Sequence, residues 1–261
     1  MKLSISNIAW SYEHDEEMYA WLSATGFTGL EIAPTRIFPE KPYEHIKEAE
    51  KYASALKRKW GISISSMQSI WFGKSESIFK TKQEREILIE YTKTAIDFAE
   101  VAGCHNLVFG CPRNRVTYNN SDYEIGIDFF RELGEYAYAH DTVLAIEPNP
   151  PIYNTNFINT TDQAFEIVRD VDSAGFKVNL DFGTIIENGE KVEQIAENIS
   201  YVNHIHISEP GLPQIFYREE HSRLRQLIEG VYNGYISIEM KNLDNLNIVK
   251  RTAITVKEVF G

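Results

Sequence analysis

Hydrophobic and polar positions along the chain follow two rhythms. Short runs alternate with a period of two: "LSIS" (3–6), "GLEIA" (29–33), "ISISSM" (62–67), "NLVFG" (106–110), "VLAIEP" (143–148), "KVNLD" (177–181), "VNHIHIS" (202–208) and "YISIEM" (235–240). Period two is the signature of a strand whose faces differ. Between these runs lie longer segments of helical character, such as "EEMYAWLSATG", "YEHIKEAEKYASALKRKWG" and "REILIEYTKTAIDFAEVAG". Gly26, Gly61 and Gly103 follow them, where a left-handed C-cap is expected. Thr160–Asp162 and Ser121–Asp122 read as N-cap regions.

Strand starts recur about every 25 to 45 residues, the spacing of βαβ units. Eight units in 261 residues predict an α/β fold of one domain, residues 1–261, closed as a (β/α)8 TIM barrel. A doubly wound open sheet competes, but no GxGxxG follows the first run.

The alternation also sorts the polar groups. Glu147 shares a face with Val143 and Ala145, and Asp181 shares one with Asn179. Glu239 shares a face with Tyr235 and Ser237, and His206 one with His204. Four consecutive strands therefore turn an acid or an imidazole inward at or near their C-terminal ends, the end that carries active sites in such barrels. Buried carboxylates without compensation cost several kcal/mol each. Three of them with one imidazole call for a divalent cation, and the oxygen-rich donor set suits Mn, Mg, Co or Zn. His204, one layer deeper, is expected to support rather than ligate. Glu31 stands inward on the second strand in the same way.

Composition narrows the function. A net charge of −12 and a pI near 5.1 argue against a nucleic-acid partner, which needs a positive surface. Cys104 and Cys111 form no CxxC pair and suit free thiols in a reducing cytoplasm. Neither a signal-peptide core nor a membrane-length apolar run is present, so no membrane partner is expected.

The segments "AIEPNP", "VNLDFGT", "HIHISEP" and "SIEM" resemble the metal-ligand segments of the xylose isomerase-like TIM barrel superfamily, which includes sugar phosphate isomerases and epimerases. The resemblance implies that Glu147, Asp181, His206 and Glu239 are the metal ligands and that Glu147 and Glu239 double as the acid/base pair. It implies an isomerase or epimerase of carbohydrate metabolism, acting on a sugar or sugar phosphate through a cis-enediolate. Members commonly carry a substrate-touching histidine three residues after the ligand aspartate, where this chain has Thr184. That departure keeps open a catalytically degenerate sugar-binding barrel, beside a metal-dependent polyol dehydratase or lyase on the same scaffold. In the endonuclease branch a further ligand would stand where this chain has Gly110. His221 is expected as a solvated helix residue, with extra ligation as its alternative.

The loops after the strands supply the remaining candidates. Trp71 and Phe72 can wall the pocket or fold inward. Arg113 and Arg115 suit phosphate or carboxylate recognition. Asn149, Tyr153 and Asn156 offer hydrogen bonds to substrate hydroxyls, and Glu31 either holds a hydroxyl or forms an ion pair. A homo-oligomer is compatible with the fold.

Overall fold

The computed structural model describes residues 1–261. All eight alternating runs form strands: β1 Lys2–Ser6, β2 Gly29–Ile32, β3 Ser63–Met67, β4 Leu107–Phe109, β5 Leu144–Ile146, β6 Phe176–Asp181, β7 Val202–Ile207 and β8 Tyr235–Ile238. They pair in parallel in chain order, and β8 returns to β1 to close the barrel. The helices are α1 Asp15–Ala24, α2 Pro34–Ile37, α3 Ile46–Trp60, α4 Lys82–Val101, α5 Asp122–Ala139, α6 Thr161–Val171, α7 Phe182–Asn188, α8 Glu219–Ile228 and α9 Leu246–Phe260.

Local chemistry sets several boundaries. Gly61 ends α3 in the left-handed region at φ 70°, as expected of a C-cap glycine. Thr160 opens α6 through a capping box with Gln163. Ser121 makes no capping bond to α5. The carboxylate of Asp122 instead accepts from the backbone N–H of Tyr118 (2.6 Å) and Asn119 (3.1 Å), tying down the incoming turn.

The two strand faces meet different surroundings. Leu144, Ile146, Leu180, Ile205, Ile236 and Ile238 point to the helices, are fully buried and join one continuous core of 64 residues. The inward face is unusually polar for a barrel of this class. Ser4 bonds Ser65 at 2.6 Å and Asn106 bonds Ser66 at 2.9 Å across the interior. Register places Ser6 beside Glu31, Asp181 beside His206, and His206 beside Ser237. Polar inward positions thus continue from strand to strand towards the rim. Cys104 and Cys111 are free thiols. No helix is long and apolar enough to cross a membrane.

Candidate active site

Glu147 and Glu239 each sit one residue past a strand, yet each backbone N–H still donates across the ladder, to Phe109 O and Ile207 O, both at 3.0 Å. Pro148 has no N–H to continue that ladder, so β5 stops with Glu147 at the rim. Asp181 closes β6 and caps α7, which fixes its carboxylate against the N–H of Thr184. His206 lies in β7 beneath them.

One ligand atom from each of Glu147, Asp181, His206 and Glu239 lies within 4.8 Å of the others. His206 Nδ1 is 3.0 Å from Glu147 Oε1 and 3.4 Å from Glu239 Oε2. On the far side of the ring, Nε2 is 2.8 Å from Glu31 Oε2. Glu147 accepts from Asn179 Nδ2 (2.8 Å) and from Asn149 Nδ2 (3.1 Å). Asp181 accepts from the Thr184 N–H (2.8 Å), the Thr184 hydroxyl (2.9 Å) and the Ser208 hydroxyl. Glu239 has no side-chain partner but His206.

The electrostatics follow from this crowding. Burial pushes the Asp181 and Glu239 carboxyls above their usual range, and neighbouring carboxylates add to the shift. Burial pushes His206 down, but Glu31, Glu239 and Glu147 outweigh it and hold the imidazole well above its usual value. Burial would raise Glu31, yet His206 and His204 bring it well below the carboxylate range.

This donor set fits a divalent ion. Three carboxylates converge on one imidazole, and none of them pairs with a Lys or Arg side chain. Glu147, Asp181, Glu239 and His206 Nδ1 would hold the ion, while the Nε2–H donated to Glu31 fixes the tautomer. A cavity of about 280 Å³ opens over the cluster, lined by Glu147, Asp181, Glu239, Glu209, Asn149 and Tyr153 among others. That is near the small end of ligand-pocket sizes. A larger cleft of about 620 Å³ lies against α4 and shares no residue with the cluster.

Several expected contributors lie elsewhere. Thr184 is not in the cavity wall: its buried hydroxyl lies against Asp181 and the carbonyl of Pro148 (2.8 Å). Arg115 is fully buried, because its Nη2 donates to the Glu147 carbonyl (2.7 Å) and to Asn149 Oδ1 (2.6 Å), so it props the Glu147 segment. Burial lowers its guanidinium to about 10. Trp71 folds inward: its indole N–H donates to Thr92 (2.8 Å) and its ring packs edge-on to Phe109. Asn156 bridges the backbone N–H and C=O of Thr117, joining two loops.

His221 is not solvated, and it neither joins the ligand cluster nor lines the cavity. It is buried between Phe182 and Phe260, its Nδ1 accepts from the Arg218 N–H (3.2 Å), and burial lowers it to about 4. Glu31 is fully buried and takes the ion-pair alternative. His204 stands 3.3 Å from the same Glu31 oxygen as a supporting contact. Arg113 and Phe72 remain exposed at the rim, and Tyr153 accepts from the Gly211 N–H (2.9 Å) while lining the cavity.

Sequence reasoning missed three residues and left a fourth, Asn179, on the inward face without a role. Ser208 lies two residues from His206, so extending the period-two rule by one step finds it. Gln68, which donates to Ser6 (2.6 Å) and Glu31 (3.2 Å), follows Ser66 in the same way. Glu209 falls in the opposite phase and carries no such signal. It lines the cavity and is clamped by Arg218 at 2.8 and 2.6 Å.

The family model described as xylose isomerase-like TIM barrel matches residues 19–256. No match was found among curated proteins. D-Psicose 3-epimerase from Clostridium cellulolyticum, solved with D-tagatose, superposes with a TM-score of 0.78 at 18% identity, covering 100% of this chain and 99% of that one. The 3-keto-D-glucoside 4-epimerase YcjR from E. coli gives 0.77 at 18%, covering 99% and 98%. The probable 3-DHS dehydratase AsbF from Bacillus anthracis gives 0.72 at 17%, covering 98% and 99%. Likeness at such identity establishes the shared barrel.

Proposed function

The chain belongs to the xylose isomerase-like TIM barrel family, and we propose that within it this protein is a divalent-metal-dependent sugar or sugar-phosphate epimerase or isomerase. The observation that carries the reading is the convergence of Glu147, Asp181, His206 and Glu239, with no pairing cation, beneath a sugar-sized cavity. Two of the solved structures it resembles are sugar epimerases, which agrees with that assignment.

The chemistry is proton transfer beside a carbonyl. A bound divalent ion would stabilise the negative charge that develops on the two oxygens of a substrate cis-enediolate. Glu147 and Glu239 keep 13% and 12% of their side chains exposed and both line the cavity. Asp181 and Glu209 line it too, but hydroxyls hold the one and Arg218 the other, which leaves Glu147 and Glu239 to meet substrate. One removes the proton from carbon and the other returns one. Asp181, whose two oxygens are taken by Thr184 and Ser208, holds position rather than moving protons. Asn179 and Asn149 orient Glu147 from two sides. A carboxylate poised in this way contributes about 10²–10⁴-fold to rate.

The test is solvent-deuterium incorporation into a panel of ketoses and their phosphates, read by NMR. Exchange at carbon that drops about 10²-fold or more in Glu147→Gln and in Glu239→Gln is expected. Loss of water from the substrate instead would identify the dehydratase chemistry of the same carboxylates. Exchange untouched by both substitutions would refute the assignment.

A further inference from the structure

Resting on the epimerase reading, we propose that the substrate carries an oxyanion group, a phosphate ester or a carboxylate, which Arg113 holds in a side compartment of the active cavity. A second cavity of about 310 Å³ adjoins the first, and the two share Ser69, Cys111 and Pro112 in their walls. A ligand at the carboxylate cluster that is long enough to pass those residues would reach the neighbouring space.

The charge changes sign along that path. The first space is lined by Glu147, Asp181, Glu209 and Glu239. The second has no acidic residue in its lining and carries Arg113 and Lys74, in a chain whose net charge is −12. Arg218 pairs Glu209, and a divalent ion would offset most of the charge of the other three. Arg113 in the second space has no partner, so an anionic substituent is better placed there. Arg113 is exposed and makes no hydrogen bond or ion pair within the chain, so the five N–H donors of its guanidinium are free for a bidentate oxyanion. The Lys74 ammonium lies 4.0 Å over the Tyr91 ring, which lines the larger cleft against α4, so Arg113 is the cation that serves the second space. Both turns of the shared wall hold a non-glycine in the left-handed region, Ser69 at φ 55° and Cys111 at φ 43°. Such backbone persists where surrounding structure enforces it, often at functional sites.

The experiment compares ketoses with their terminal phosphates and terminal carboxylates in the deuterium-exchange assay, using wild type, Arg113→Ala and Arg113→Lys. Wild type is expected to favour the anionic substrates. Arg113→Ala is expected to raise their KM roughly tenfold to hundredfold, with a much smaller effect on their kcat and on the neutral sugars, and Arg113→Lys to restore part of the loss. An equal effect on neutral and anionic sugars, or a wild-type preference for neutral ones, overturns the proposal. Titration with inorganic phosphate and with acetate, followed by amide NMR shifts at residues 69–74 and 110–114, decides it independently of turnover. Shifts present in wild type and lost in Arg113→Ala support it, and the better anion tells ester from carboxylate. No shift with either anion overturns it. Absence of exchange on every sugar would instead count against the epimerase reading.

Discussion

Replacing Thr184 by valine keeps the side-chain shape and deletes one hydroxyl. That hydroxyl lies 2.8 Å from the Pro148 carbonyl and 2.9 Å from Asp181 Oδ2, both in buried surroundings. Losing it leaves one buried acceptor short, worth about 1–2 kcal/mol. For a chain of this size the midpoint of thermal unfolding should fall by about 2–8 °C. The Thr184 N–H and the Ser208 hydroxyl still hold Asp181, so its carboxylate loosens without leaving. Weakening such a supporting contact typically costs 10–100-fold in metal affinity. Calorimetric titration with Mn²⁺ and a thermal scan of the variant measure both effects. Unchanged metal affinity and stability with a raised substrate KM would refute the reasoning, because that pattern belongs to a residue touching substrate.

Other consequences follow from the same geometry. A Cβ on Gly110 would stand 2.9 Å from Glu147 Oε2, the end of a flexible side chain. Gly110→Ala should therefore change the unfolding midpoint little yet lower turnover about tenfold to hundredfold, since a small displacement of a reacting group is costly; full activity would contradict the placement of Glu147. His221 titrates at about 4 when folded, against 6.5 ordinarily. Its contribution is complete above pH 6.5 and is lost as pH falls towards 4, by roughly 3 kcal/mol at most. Denaturant unfolding of wild type and His221→Gln across that window should show a shallower pH dependence in the variant; parallel curves would rule the account out.

Much of the barrel is legible because each strand has one face against helices and the other in the interior. Leu144 and Ile146 against Ala145 and Glu147 is enough to assign both faces of β5 and to aim the carboxylate. The same rule aligns Asp181, His206 and Glu239 before any contact is known. It fails where a side chain's partner lies far along the chain. Arg115 reads as an oxyanion-binding candidate because nothing local announces that the Glu147 carbonyl and Asn149 will enclose it. Trp71 finds Thr92 on α4, and His221 finds Phe260 at the end of α9. Thr184 is read against a family pattern, while its position is set by a helix cap and the Pro148 carbonyl.

The central claim is that one divalent ion, held by Glu147, Asp181, His206 and Glu239, supports proton exchange at a sugar carbon. Deuterium incorporation into the sugar panel, measured before chelation, after it and after Mn²⁺ is restored, tests this most directly. The account predicts exchange that disappears on chelation and returns with one equivalent of metal per chain. Exchange indifferent to chelation, or a chain that binds no divalent ion, would contradict it.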